Sequence, residues 1–116
     1  MFWVRLLGKI RPNVSFEDEI CKNNISKVLE MFSIGSIIIG HTPQSFMYSD
    51  DINGTCSGKV WRVDNGSSDA FSMFDVNIMR NGEYSKSRRV QYLEIIDDDI
   101  YYVCDEKKCK KQINKI

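Results

Sequence analysis

Histidine is almost absent from this sequence: His41 is the one imidazole in 116 residues. A histidine-rich metal site built wholly from this chain is therefore excluded, and any site at His41 needs carboxylates or ligands from other polypeptide. Net charge is absent too. Sixteen Lys and Arg balance sixteen Asp and Glu, so no overall field gathers nucleic acid or an anionic membrane. No stretch approaches the roughly 20 apolar residues of a membrane-spanning helix. The apolar start, MFWVRLLGKI, is interrupted by Arg5 and Lys9 and is not followed by a small-residue cleavage site, which argues against a signal peptide. Internal repeats, low-complexity tracts and Pro/Gly/Ser-rich linkers are also missing. The expectation is an intracellular, cytoplasmic protein with one globular domain and neither membrane nor nucleic acid as a partner.

What is present supports a core. Hydrophobic residues make up 42% of the chain and charged residues 28%, a balance suited to a globular fold. Four cysteines, Cys21, Cys56, Cys104 and Cys109, could form two disulfides, but an intracellular setting implies reduced thiols. The pair in CDEKKC has a spacing that zinc can use, although a structural zinc site wants four ligands.

The clearest element is a helix over about Glu17 to Phe32. Cys21, Ile25, Val28, Leu29 and Phe32 fall on one face of it. Ser15 can cap its amino end, Glu17, Asp18 and Glu19 suit the positive pole of its dipole, and Gly35 suits a left-handed stop beyond it. The run SIIIG reads as a strand buried in the interior of a sheet. GKVWRVDNG and FSMFDVNIM alternate and read as further strands. RRVQYLEII and IYYVC flank Asp97-Asp98-Asp99 as a hairpin, so the second half is expected to be an antiparallel meander. The three aspartates read as a solvated loop and Trp3 and Trp61 as packing residues. Lys107, Lys108, Lys110, Lys111 and Lys115 make a basic tail over residues 106–116, read as a frayed terminus. Asn65-Gly66-Ser67 has glycosylation spacing, which carries little weight without secretion.

His41 closes the SIIIG strand. In an α/β sheet, loops at the carboxyl ends of strands diverge and leave a crevice where ligands meet the protein. Gly40 would allow a close backbone approach there, and Pro43 would stiffen the turn. An imidazole so presented can bind a divalent metal or move a proton. The competing reading is a structural histidine that caps a turn.

IIIGHTPQ, followed after a short loop by INGTCSGKVWRVDNGSSDAF, resembles the C-terminal part of calcineurin-like metallophosphoesterases, particularly the bacterial-type or Shewanella-like protein phosphatases. MFWVR is similar to a segment that precedes the helix in that family. The resemblance covers roughly residues 1–71 and implies that residues 1–105 are the C-terminal half of a metallophosphoesterase β-sandwich with flanking helices. It implies that His41 binds one of two bridged divalent metals of the Mn, Fe or Zn type, that Gly40, Thr42, Pro43 and Gln44 hold the loop, and that Arg5 faces the substrate phosphate. Asp64 and Gly66 match a supporting turn.

The family's upstream blocks, of the kinds Gly-Asp-x-His-Gly, Gly-Asp-x-Val-Asp-Arg-Gly and Gly-Asn-His-Glu, do not occur here. Two-metal hydrolysis needs both ions fixed and a water aligned on phosphorus, so the chain alone is not expected to be a competent phosphatase. The implied partner is the missing N-terminal half, with a phosphoester or phosphoprotein as substrate once it is supplied. The alternative is a non-catalytic interaction module derived from the same fold, and a third reading places Cys104 and Cys109 in a small zinc site.

Overall fold

A computed structural model describes residues 5–44, 48, 51–68, 79–80, 83–84 and 90–112. A short helical turn, α1 (Leu6–Lys9), precedes the main helix, α2 (Glu19–Phe32). The helix starts two residues later than its periodicity predicts because Asp18, not Ser15, is the cap. The Asp18 carboxylate accepts the Ile20 N–H at 3.0 Å, while the Ser15 hydroxyl is used one turn earlier, accepting from Glu17 N. At the other end Ser33 itself takes the left-handed conformation, φ 52°. Ile34 N–H then reaches back to Leu29 O at 3.0 Å, which closes the helix before Gly35 is needed.

The amphipathic face of α2 is only partly covered. Cys21 and Ile25 are fully buried and Leu29 packs beside them, but Val28 and, at 66% exposure, Phe32 are open to solvent, contrary to the reading of the stripe. The sheet beneath has three strands of three residues each, β1 (Ile37–Ile39), β2 (Asn53–Thr55) and β3 (Val60–Arg62). That platform is too narrow to hide the whole stripe.

The strand order is β1-β3-β2, with β1 parallel and β2 antiparallel to β3. The isoleucine run was expected in a sheet interior. Instead β1 is an edge among the described residues, with Ile38 48% exposed, and the central strand is β3, in which all three residues are buried. Cys21 and Ile25 from the helix, Ile10 from the N-terminal segment, Val60 from β3 and Cys56 from the connection between β2 and β3 form one core.

The β2–β3 connection carries three successive left-handed residues, Cys56, Ser57 and Gly58. It latches the N-terminal segment: Val14 N and Phe16 N donate to Thr55 Oγ1 and Ser57 Oγ, and Thr55 Oγ1 donates to Arg11 O. Cys56 is also bonded to Cys21. The expectation of reduced thiols is thereby corrected, since Cys104 is likewise bonded to Cys109. Composition suggested a redox compartment, whereas pairing depends on where the fold brings the sulfurs.

A two-residue ladder, β4 (Met79–Arg80) with β5 (Glu83–Tyr84), follows; β4 begins at the last residue of the predicted FSMFDVNIM strand, the rest of which lies outside the described residues. The chain ends in the expected antiparallel meander of β6 (Tyr92–Ile96), β7 (Ile100–Cys104) and β8 (Cys109–Gln112). Asp97 and Asp98 have φ of 51° and 64°, the left-handed pair that matches a tight turn to strand twist. The basic segment is not wholly frayed, because Cys109–Gln112 is the third strand. Trp3 lies outside the described residues. Trp61, facing the meander, stacks on Tyr101 with ring centroids 4.9 Å apart and, with Ile52 and Val103, forms the second core between the two sheets. Gly54 lies opposite Trp61, and a Cβ there would sit 3.1 Å from the indole. The architecture is thus a small α/β domain with two short helices and two three-stranded sheets, and none of its described helices is long and apolar enough to cross a membrane.

Candidate functional site

The Gly-His-Thr-Pro-Gln loop leaves β1 and immediately turns. His41 is exposed and left-handed, φ 66°, a conformation that costs a non-glycine residue about 1–2 kcal/mol. The special backbone therefore sits at the histidine itself and not at Gly40, where an added Cβ would meet nothing within 4 Å. The close approach anticipated for Gly40 is made elsewhere, at Gly8 in α1. A Cβ on Gly8 would lie 2.6 Å from the Cβ of Thr42.

The rest of the motif turns inward. Thr42 is buried, Pro43 half-buried, and Gln44 fully buried. The Gln44 amide donates to Gly8 O at 2.9 Å and Thr42 O at 3.1 Å, and its oxygen accepts from Asn53 Nδ2 at 3.1 Å. Its backbone N–H donates to Asp64 O at 2.8 Å. Tyr48 adds a second strap, its hydroxyl donating to Lys9 O. Asp64 also accepts the Gly66 N–H through its carboxylate, and Gly66 is left-handed at φ 66°. Asp64 and Gly66 thus shape the turn that grips Gln44 from the β3 side.

Beneath this loop lies Arg62, in the VWRVD segment, a residue that no motif singles out. Arg62 is 1% exposed. Its guanidinium donates to Leu7 O, Ile10 O and Asn53 Oδ1, so among the described residues its hydrogen-bond partners are backbone carbonyls and an amide oxygen. Desolvation by burial draws its pKa down to about 10, with Tyr48 acting in the opposite direction; it stays charged at neutral pH. The sequence carries no signal of this burial, which comes from the central position of β3 and from the N-terminal segment that supplies Leu7 O and Ile10 O.

Arg5, the residue implied to face phosphate, is exposed at the start of α1 and makes no side-chain capping bond. Its carbonyl accepts from Gly8 N, which puts it one helical turn from the Thr42 contact. Arg5, Gly8, Thr42 and His41 therefore belong to one corner of the molecule, where α1 meets the end of β1.

That corner does not make a metal centre by itself. Among the described residues, the group of three potential ligands within mutual reach is Glu94, Cys104 and Cys109, and His41 is not part of it. Two clefts, of about 580 Å³ and 340 Å³, lie between the α/β layer and the meander and are likewise not lined by His41. One imidazole does not fit the ligand demand of two bridged ions. Asn65, the glycosylation-spaced asparagine, is buried and donates to Gln91 Oε1, so it is not displayed for modification.

Over 112 residues the chain is 40% identical to uncharacterized protein R398 of Acanthamoeba polyphaga mimivirus, an alignment that takes in 92% of this chain. The chain spans about 40% of that relative's length. No known protein family and no solved structure matches it.

Proposed function

We propose that this chain is the C-terminal part of a calcineurin-like metallophosphoesterase of the bacterial-type or Shewanella-like phosphatase kind, inactive alone and completed by a segment carrying the missing metal-binding blocks. The observation that carries the reading is the division of labour in the loop. Thr42 is buried against Gly8 of α1 and Gln44 is buried and bonded to α1, β2 and the Asp64 turn, while His41, between Gly40 and Thr42, is exposed with a left-handed backbone. A sparsely populated backbone conformation at an exposed residue in an otherwise buried, hydrogen-bonded loop is the kind of local strain that clusters at functional sites, which supports a ligand role for His41. In the joined protein His41 would supply one ring nitrogen to a divalent ion, and Arg5 a guanidinium fork to the phosphate.

The test joins this chain to the part of the mimivirus relative outside the matched 40%. The chimaera should hydrolyse p-nitrophenyl phosphate with Mn²⁺, and His41→Ala should lower that activity at least about 100-fold, since even residues supporting a metal ligand cost 10–100-fold when replaced. A folded chimaera without activity, or one indifferent to His41→Ala, overturns the reading.

A second reading, a non-catalytic interaction module, is favoured by one observation. Met31, Phe32, Ile34 and Ile38 are exposed where α2 runs into β1, which combines an apolar face with a strand that is an edge among the described residues, a template for pairing. Association of the same two segments without hydrolysis is the result expected of it.

A further inference from the structure

The end of the meander holds chemistry that the phosphatase reading does not use. In the β6–β7–β8 register Tyr92 lies opposite Cys104, and Cys104 lies opposite Cys109. Strand alternation then places Tyr92, Glu94, Cys104 and Cys109 on one face of the sheet, opposite to the face that bears Leu93, Tyr101 and Val103 and packs on the core. The carboxylate of Glu94 and both sulfurs lie within 4.8 Å of one another. Cys104 Sγ is 4.0 Å from Glu94 Oε2, and the Tyr92 hydroxyl is 3.9 Å from Cys109 Sγ.

We infer that this cluster is a redox-gated site for a thiophilic divalent ion of the zinc class, closed while Cys104 and Cys109 are joined and open once they are reduced. A tetrahedral zinc ion with Zn–S of about 2.3 Å and Zn–O of about 2.0–2.2 Å holds its ligand atoms roughly 3.3–3.8 Å apart. The Glu94 oxygen is already close to that distance from Cys104, and separating the two sulfurs needs side-chain rotation and not strand movement. Two sulfurs and one carboxylate leave a fourth position for water, the pattern of an open site. Lys107 and Lys108, in the loop joining the two cysteines, offset part of the negative charge that two thiolates and a carboxylate bring together.

The gate follows from exposure. Cys104 is fully buried but its partner Cys109 is exposed, whereas both Cys21 and Cys56 are fully buried, so a reductant reaches the meander pair first, at Cys109. A dithiol reductant attacks one sulfur of the Cys104–Cys109 bond, gives two electrons and two protons to the pair, and leaves as its own disulfide. Zinc then takes the two sulfurs as thiolates and releases the two thiol protons to solvent. The inference is independent of the phosphatase reading.

The experiment uses the whole chain, reduced with a phosphine that is removed anaerobically before Co²⁺ is added as a spectroscopic stand-in for zinc. The reduced chain should bind one Co²⁺ with thiolate-to-cobalt charge-transfer and tetrahedral visible bands, lose them on addition of Zn²⁺, and show neither band when oxidised. Glu94→Gln, at an exposed position, should weaken binding at least about tenfold. Absence of the bands in reduced protein overturns the inference. So does their survival in Cys104→Ser/Cys109→Ser, which would assign them to Cys21 and Cys56, or an affinity unmoved by Glu94→Gln.

Discussion

Gly8 and Thr42 touch backbone to side chain: a Cβ on Gly8 would fall 2.6, 2.7 and 2.8 Å from the three side-chain atoms of Thr42. The residue after the histidine is thus pressed against α1, and the orientation of His41 depends on a position 33 residues earlier in the chain. Gly8→Ala should destabilise the fold by about 1–3 kcal/mol, the usual cost of overpacking a tight contact. Combining it with Thr42→Gly should give less than the sum of the two single losses, because the shared contact is removed once. Thermal or urea denaturation of the four proteins checks it; additivity would show that the contact is not made.

Arg62 supports the same corner from below. Replacing it with Ala strands Leu7 O, Ile10 O and Asn53 Oδ1 and opens a cavity, at an expected cost of about 3–5 kcal/mol. Arg62→Lys keeps the charge but cannot span three acceptors with a fork, and should cost about 1–3 kcal/mol.

The pKa of Arg62 supplies a sign as well as a size. Its folded value, about 10, is below the ordinary arginine value. The folded state therefore binds fewer protons than the unfolded one only between those values, where stability from this group rises with pH. At neutral pH the two states are equally protonated at Arg62, so the stability difference between wild type and Arg62→Met should be flat with pH around neutrality. Denaturant titrations at several buffered pH values would reveal a slope if the guanidinium were losing its proton there.

The Cys21–Cys56 bond closes a loop with a sequence separation of 35. On the chain-entropy account, Cys21→Ser/Cys56→Ser should lose about 3–4 kcal/mol, and Cys104→Ser/Cys109→Ser, where the separation is 5, about 2 kcal/mol. Melting temperatures of the two double variants rank the bonds directly.

Phe32→Ser and Ile38→Lys change side chains that are exposed in this chain. Each should alter its stability by no more than about 0.5 kcal/mol, yet both should weaken association with the completing segment. Denaturation of the chain alone, beside sedimentation of the mixture, separates the two effects.

Local signals were the most legible in the sequence. The existence of α2, of the aspartate turn and of the last hairpin is readable because their periodicity and turn chemistry are local. Burial was not, since it depends on what other segments cover: Phe32 and Ile38 look like core residues and are exposed, while Arg62 looks like a surface residue and is buried. The disulfides escaped because Cys21 and Cys56 meet only through tertiary folding. At the candidate site the motif residues were visible in order, but Gly8 and Asn53 had no sequence signal, being selected by contacts across the fold.

The latch between the β2–β3 turn and residues 11–16 has a kinetic consequence. Its hydrogen bonds join positions 41 to 44 residues apart, so each requires a long loop to close, while the hairpin that offers Thr55 and Ser57 spans only Asn53 to Arg62. Local structure assembles before distant contacts can reward loop closure. The hairpin is therefore expected to form first and to template the amino-terminal segment, in which case substitutions in its left-handed turn should slow folding more than they hasten unfolding, as chevron kinetics would measure.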